Sequence, residues 1–446
     1  MDLCQASRPT SRRGFEIAII CALTLEADAV DALFDMYWDD DGPPFDKAPG
    51  DPNAYSMGAI GRHNVVLAHM PSMEKANAAM VASYCRMSFP SVKLILLVGV
   101  CGVVPFGPNN DEIVLGDVVV SDGIIQYDFG RRLPDQFKRK DTLLDSLGRP
   151  SLEIRGLLAK LKGLRGRKKL GTAMAKYLGE LQREPLLAAQ YPGIIHDRLF
   201  EAAYRHVGGQ ATCEQLGCDG NLTPRQRLHA SRGDLQPAVH FGLIASGDSV
   251  IKSGQERDAI AAKEGVIAFE MEGAGVWDSS PCVVIKGACD YADSHKNKLW
   301  QHYAAATAAA CIKALLSYWV SSTPDEPTPR WAADCYFPMP QSEDDETSLG
   351  RSTALKKPPT SRNGAKPVVL RGGSAIGGDA VNDDLGGTAE GGCAAGGDVE
   401  ISSPSYWGAA SLVGGDGTGG NAVGSRSVGG SAVGGNVRWM CSEAMV

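Results

Sequence analysis

The stretch Phe15-Glu-Ile-Ala-Ile-Ile-Cys-Ala-Leu-Thr-Leu-Glu-Ala-Asp28 decides the fold class. Its first half is a short run of β-branched and apolar residues, the composition of a strand buried on both faces. Its second half changes to a helical pattern over 24–35, with Thr24 as a plausible N-cap and Asp28 in the early turns. A buried strand that runs straight into a helix is the repeating unit of α/β proteins.

The same alternation extends outward from it. Residues 64–69 and 92–98 read as further strands, separated by an alanine-rich helix over 74–87. Gly116-Asp-Val-Val-Val-Ser-Asp122 is another strand. After a long gap come strands at 241–245, 265–269 and 282–286, with helices at 255–263, 273–278 and 299–319. Near-continuous apolar strands between helices predict a sheet covered on both faces, an α/β sandwich.

The 446 residues include 43% hydrophobic and 22% charged side chains and carry a net charge of −8. That balance is acidic, so the basic footprint of a nucleic-acid-binding protein is missing. No stretch approaches about 18 consecutive apolar residues, which argues against a membrane span. The N-terminal apolar run carries Glu16 and Glu26 and lacks a cleavage site, so it does not read as a signal peptide. Cys21, Cys101, Cys282, Cys289 and Cys311 lie within apolar runs as buried small hydrophobes, which fits a reducing, cytoplasmic setting. Cys213 and Cys218 form the only close pair. With His206 and His229 nearby they suggest zinc, but the spacing fits no standard ligand pattern, and no metal or cofactor is expected.

Two segments stand outside the alternating pattern. An insertion over about 135–235 holds leucine-rich helical stretches and a dense basic cluster of Arg155, Lys160, Lys162, Arg165, Arg167, Lys168 and Lys169. It reads as a helical hairpin with a solvated charged face or as a lid offering positive charge to an anionic substrate. Beyond residue 320 the chain turns rich in proline, acids and glycine; of its 53 glycines, 21 follow Arg371. Such a composition buries too little apolar surface to offset its ordering entropy, so 321–446 is expected to be a disordered low-complexity tail behind one domain over 15–320.

The chemistry-bearing residues are acids at strand ends. Glu26 lies one turn after the first strand, Glu270 and Glu272 flank Met271 in Phe269-Glu-Met-Glu-Gly-Ala-Gly, and Asp290 ends Lys286-Gly-Ala-Cys-Asp. Ligands of open α/β sheets collect at the carboxyl ends of strands, so these positions can meet in one crevice although they are far apart in sequence. Glycines that permit close backbone approach accompany them: Gly99 and Gly102 in Val98-Gly-Val-Cys-Gly, and Gly247 in Ala245-Ser-Gly-Asp-Ser.

Together with Ile19-Ile-Cys-Ala-Leu-Thr-Leu-Glu-Ala-Asp, Leu115-Gly-Asp-Val-Val-Val-Ser-Asp and Gly287-Ala-Cys-Asp-Tyr-Ala-Asp, these motifs resemble the nucleoside phosphorylase superfamily, on the branch of methylthioadenosine/S-adenosylhomocysteine nucleosidase. The nearest resemblance is to the related domain of fungal proteins, often found at the front of immune-receptor-like chains. It covers about 15–320, interrupted by the insertion. It implies a three-layer αβα sandwich with a mixed central sheet, and assembly as a homo-oligomer without a cofactor. Glu26 then matches the acid that deprotonates the attacking water, and Asp290 the residue that protonates the purine at N7. Glu272 matches the carboxylate that grips the ribose hydroxyls, and Met271 packs on the sugar. Val250 and Ile251 stand where backbone groups read the base edge, with Ser246, Phe269, Glu270 and Gly102 around the same pocket.

Elementary chemistry agrees with those roles. Breaking an N-ribosidic bond passes through an oxocarbenium-like sugar, which needs one acid for the departing base and one carboxylate for water. For Asp290 to hold a proton near neutrality, apolar neighbours such as Val284 and Cys289 would have to desolvate it. Neither the first loop nor Val98-Gly-Val-Cys-Gly contains an arginine to hold phosphate, and Glu26 would repel it. The expected reaction is therefore hydrolysis. An acid at Asp290 resembles the branch that handles 6-aminopurines, so the resemblance implies adenosine, AMP or ATP as substrate and adenine plus ribose or its phosphate as products. The alternatives are a phosphorylase and a catalytically lapsed nucleoside-sensing module. Arg131, Arg132, Lys138, Arg139 and Lys140 at the start of the insertion favour a polar or phosphorylated 5′ end. Lys286 stands where an arginine is common, and Pro71-Ser-Met-Glu-Lys replaces a glycine-rich loop.

Overall fold

The computed structural model describes residues 6–209, 211–220, 222–230 and 235–320, with short strand segments between 369 and 438. The chain begins with β1 (Ile17–Cys21), whose five residues are all buried, and α1 (Thr24–Asp31). The helix stops at Asp31, four residues short of the expected end, because the chain turns there into a two-residue edge strand, β2 (Met36–Tyr37). A hairpin follows, β3 (Ala54–Ile60) and β4 (His63–His69), then α2 (Lys75–Ser88) and the ten-residue β5 (Leu94–Val103). β3 escapes sequence reading because Ala54-Tyr-Ser-Met-Gly-Ala-Ile mixes small and polar residues at an exposed start.

β6 (Val118–Gln126) leads into a second hairpin, β7 (Gly130–Arg132) and β8 (Phe137–Arg139). The insertion then supplies α3 (Leu152–Lys162), α4 (Leu164–Leu181) and two short helices, α5 (Cys213–Leu216) and α6 (Gln226–Ala230). The chain returns to the sheet with β9 (Val239–Ser246), α7 (Gly254–Glu264), β10 (Val266–Glu270), α8 (Gly273–Trp277), β11 (Cys282–Asp290) and α9 (Gln301–Leu316).

Nine strands form one mixed sheet in the order β10-β9-β6-β11-β5-β1-β4-β3-β2. β1, β4, β5 and β11 run parallel at its centre, while β6 is antiparallel to β11. The sheet also curls on itself. The end of β5 pairs antiparallel with β10, setting Phe269 against Gly102 and Ala268 against Val103. This closure brings the end of β10 over the carboxyl ends of β1, β5 and β11.

Helices cover both faces, giving the expected αβα sandwich. α9 is its most enclosed helix, with 13 of 16 residues buried. Its outer side would face water without the insertion, but α4 packs along it. The hairpin α3–α4 is thus a structural layer rather than a lid. Its basic residues Arg165, Lys168 and Lys169 border a surface groove with Tyr318, well apart from the strand ends. The far end of the insertion is tied back by buried Asp117 at the start of β6, which accepts from Arg227, from Nε2 of His240 at 2.9 Å and from the amide of Ala238 at 2.8 Å. Burial raises the Asp117 carboxyl, but His240 and Arg227 outweigh it and hold it below the usual range.

Residues 337–446 form a separate unit. The expectation of a disordered tail over 321–446 lies for the most part outside the described residues. The described segments pair as short parallel strands, for example Val369–Arg371 with Thr388–Glu390. No helix among the described residues is long and apolar enough to cross a membrane.

Gly287 lets β11 lie directly on α9, since a Cβ there would run into the carbonyl of Ala304. Backbone cannot yield as a side chain does. Gly287→Ala should therefore destabilise the domain by about 1–3 kcal/mol. Denaturant unfolding checks this, and an unchanged midpoint would refute the close packing.

Candidate active site

The strand ends meet at a cleft of about 350 Å³. Glu26 enters it from the first turn of α1. Its position is set by the strand-to-helix switch read in the sequence: Oε2 accepts from the amides of Ala22 (3.0 Å) and Leu23 (2.9 Å), and Oε1 from that of Val100 (2.8 Å). The carboxylate sits against Gly99 so closely that any Cβ there would collide with it. Glu26 is buried, and burial lifts its carboxyl above the ordinary value; Lys286 opposes that rise and Glu272 adds to it.

Glu272 stands at the N-cap position of α8 without capping it through its side chain, which instead accepts from the Nζ of Lys286 at 2.8 Å. Both side chains are almost fully enclosed, at 5% and 1% exposure, so this is a buried ion pair inside the sheet. Lys286 projects from the middle of β11 and is held protonated, its ammonium raised above the usual lysine value. Burial opposes that rise, and Glu272, Glu26 and Glu270 together overcome it. Glu270 turns its carboxylate back onto its own chain, accepting from the amides of Glu272 (3.1 Å) and Gly273 (2.9 Å). Burial first and the neighbouring Glu272 second push it up to about 7.

Asp290 closes β11 beyond a register shift and pairs with Gly102 across the strands. Its Oδ1 accepts from the amide of Ala292 at 2.8 Å and lies 2.9 Å from Nζ of Lys296. The thiol of Cys289 donates to Oδ2 at 3.4 Å. Beside the apolar neighbours expected to desolvate Asp290, a lysine from the loop between β11 and α9 faces the carboxylate.

Glu26, Gly102, Val250, Ile251, Phe269, Glu270, Met271, Glu272 and Asp290 all line the cleft. Ser246 does not. It is fully buried behind the wall, where its hydroxyl accepts from the amide of Ala274 at 2.9 Å and pins the start of α8. Val250 is half exposed at the mouth.

Sequence reading missed Met73, Lys252, Lys296, Asn297 and Lys298, which also border the cleft. They come from loops with no periodic signal, so only the folded chain places them. The basic stretch 131–140 behaves differently from expectation. Arg132 and Arg139 border a separate groove with Glu256 and Glu264. Arg139 is held by Glu264 at 2.7 Å, and Lys140 faces Asp145 at 3.5 Å. The cations that reach the cleft are instead the three lysines of the 252 and 296–298 loops.

The arrangement has a definite chemical capacity. A buried carboxylate with a raised proton affinity can take a proton from water. A second carboxylate, Glu272, borders the same cleft and acts on it electrostatically, and the Asp290–Lys296 pair stands at the end of β11.

The chain matches the phosphorylase superfamily over residues 16–317. It is 36% identical over 309 residues to a nucleotide-binding leucine-rich repeat-like protein of the fungus Hyaloscypha variabilis, a stretch covering 68% of this chain and 29% of that protein. It is 23% identical over 267 residues to the 5′-methylthioadenosine/S-adenosylhomocysteine nucleosidase of Mycobacterium tuberculosis, covering 59% of this chain and 83% of the relative. Among solved structures, the Streptococcus pneumoniae MTA/SAH nucleosidase in complex with 8-aminoadenine aligns with 19% identity and a TM-score of 0.43, over 68% of this chain and 100% of that one.

The buried Glu270 predicts a pH dependence of stability. Burial and the neighbouring Glu272 push its carboxyl up to about 7 in the folded chain, from the ordinary 4.5 to which unfolding returns it. Between those values the folded state binds more protons, so stability falls as pH rises from about 5 to 7 and then levels. Glu270→Gln should flatten that fall. Thermal melts across this range test it, and an unchanged slope would exclude Glu270 as its source.

Proposed function

The chain belongs to the phosphorylase superfamily, and on that footing we propose that its cleft hydrolyses the N-ribosidic bond of an adenine nucleoside or nucleotide, releasing adenine. One observation carries this reading: Glu26, Glu272 and Asp290, strand-end acids remote in sequence, border a single cleft. The similarity to proteins named methylthioadenosine/S-adenosylhomocysteine nucleosidase supports N-glycosidic hydrolysis as the reaction class.

In this mechanism Glu26 takes a proton from the attacking water. Three backbone amides orient its carboxylate, and burial lifts it toward the working pH, as a general base requires. Asp290 gives a proton to N7 of the purine as the base departs. Lys296, 2.9 Å from the same carboxylate, favours its ionised form, so the proton that Asp290 passes on is drawn from that ammonium or from solvent, and the lysine stabilises the carboxylate left behind. Glu272 holds the ribose hydroxyls and offsets the positive charge growing on the sugar. Lys286 orients Glu272 from below, and Glu270 fixes the backbone on which it stands. Met271 and Phe269 pack on the sugar and base, while the backbone at Val250 and Ile251 reads the base edge. Gly102 leaves room for close approach beside Asp290.

The choice between water and phosphate rests on Glu26. A buried carboxylate at the point of attack repels an anion and suits a neutral nucleophile. The 5′ group is a separate matter. Lys252 and Lys298 stand exposed at the cleft mouth beside Lys296, and this cationic rim favours a phosphorylated 5′ end, as in AMP or ATP.

The test is a panel of adenosine, methylthioadenosine, AMP and ATP, each with and without inorganic phosphate, with free adenine followed by chromatography. Adenine should appear without phosphate, fastest from a phosphorylated substrate. Glu26→Gln should lower kcat by on the order of 10²–10⁴, and the wild-type rate should fall as pH drops through the raised Glu26 value, because the base must be ionised. Strict dependence on phosphate, with ribose 1-phosphate as product, would make it a phosphorylase. Binding by calorimetry without turnover would make it a sensing module.

A further inference from the structure

The insertion carries a cluster of side chains that the proposed reaction leaves unused. His206, Cys213, Cys218 and His295 each turn one ligating atom toward a common point, and those atoms lie within 4.8 Å of one another. Cys213 Sγ is 3.6 Å from Nδ1 of His206 and 3.5 Å from Nδ1 of His295, and Cys218 Sγ is 3.5 Å from Nδ1 of His206. A tetrahedral zinc ion with sulfur at about 2.3 Å and nitrogen at about 2.05 Å holds the two atoms about 3.6 Å apart. The three separations match the edges of that tetrahedron.

The outer contacts point the same way. His206 Nε2 lies 2.8 Å from the carbonyl of Ala211, and His295 Nε2 lies 3.2 Å from that of Tyr204. A carbonyl can only accept, so both rings carry their proton on Nε2 and turn a bare Nδ1 toward the thiols. Imidazoles anchored on backbone carbonyls in this way are the usual support of metal-bound histidine. His295 is further fixed by stacking against Phe200, at 3.9 Å, and against Tyr204, at 5.2 Å. The cysteines are brought together by one turn: Thr212 caps α5, Gly217 takes a left-handed φ of +60°, and the amide of Cys218 returns to the carbonyl of Cys213 at 2.9 Å.

We propose that these four residues form a closed Cys2His2 zinc site that fastens the insertion to the loop between β11 and α9. Two thiolates and two imidazoles suit zinc rather than calcium or magnesium, and four protein ligands leave no open position for catalysis. Three ligands belong to the insertion. The fourth, His295, directly precedes Lys296, which faces Asp290. The same knuckle borders a cavity of about 600 Å³ that shares Lys252, Asp290 and Lys296 with the cleft. The metal would therefore set one wall of the active site without touching the reacting atoms. His229, which lies closer in sequence, is exposed on α6 and takes no part.

The full-length chain, purified without chelator, should contain one zinc ion per molecule by plasma mass spectrometry. Cys213→Ser and Cys218→Ser should lose most of it, and His229→Ala should keep it. Zinc removal by a strong chelator should lower the melting temperature of the wild type, and re-addition should restore it. Cobalt(II) loaded in place of zinc should give the visible bands of tetrahedral thiolate coordination. That spectrum decides the matter on the wild type even if the cysteine variants fail to fold. Metal-free wild type that gives no cobalt bands, full zinc in both cysteine variants, or a Cys213–Cys218 disulfide by mass would each overturn the proposal.

Discussion

A single ammonium group makes the cleft possible. Lys286 rises from the middle of a central strand into the space where Glu26, Glu270 and Glu272 converge, with almost none of its surface exposed. Three carboxyl groups brought out of water into one pocket would repel one another and resist ionisation. The lysine offsets this directly through Glu272 and at longer range through Glu26. Removing one partner of such a pair costs more than the pair itself contributes, because the remaining charge is stranded. The sheet order, the curl of β5 onto β10 and the start of α8 all serve to keep these four side chains in register.

The second constraint is backbone geometry at the carboxylates. Glu26 is held by amides from two segments, the β1–α1 turn and β5, and by the missing side chain of Gly99. Glu270 clamps the amides that open α8, so that Glu272 emerges at a fixed angle. The geometry of the cleft therefore rests on short, local hydrogen bonds at strand ends, above a large apolar core. The insertion contributes to that core through α4. The cations beside Asp290 come from a loop that the proposed zinc knuckle would hold.

Most of the core sheet and the acidic site were legible in the sequence, because both leave local signals. A buried parallel strand must be apolar throughout, and a strand-end acid beside glycine stands out against that background. β1, β10 and β11 were recognisable for this reason, and β6 and β9 by their shorter apolar runs. β3 and the β7–β8 hairpin were not, since β3 mixes small and polar residues although it is buried along its second half, and the hairpin is short and largely exposed. Ser246 sits in a site motif, yet its hydroxyl faces the backbone of α8 and not the cleft. Sequence proximity alone could not separate those two orientations.

The amino-acid sequence by itself determined the α/β class, the strand-end placement of Glu26, Glu270, Glu272 and Asp290, and the family, because each follows from residue types within a short window. Only the tertiary structure decided which charges meet. It brought Lys286 to Glu272 and Lys296 to Asp290, turned the basic stretch 131–140 toward a separate groove, and assembled His295 with His206, Cys213 and Cys218 in place of His229. The physical reason is the same in each case. Pairing and coordination depend on distances of a few ångströms between side chains from remote loops, and no periodicity along the chain encodes those distances.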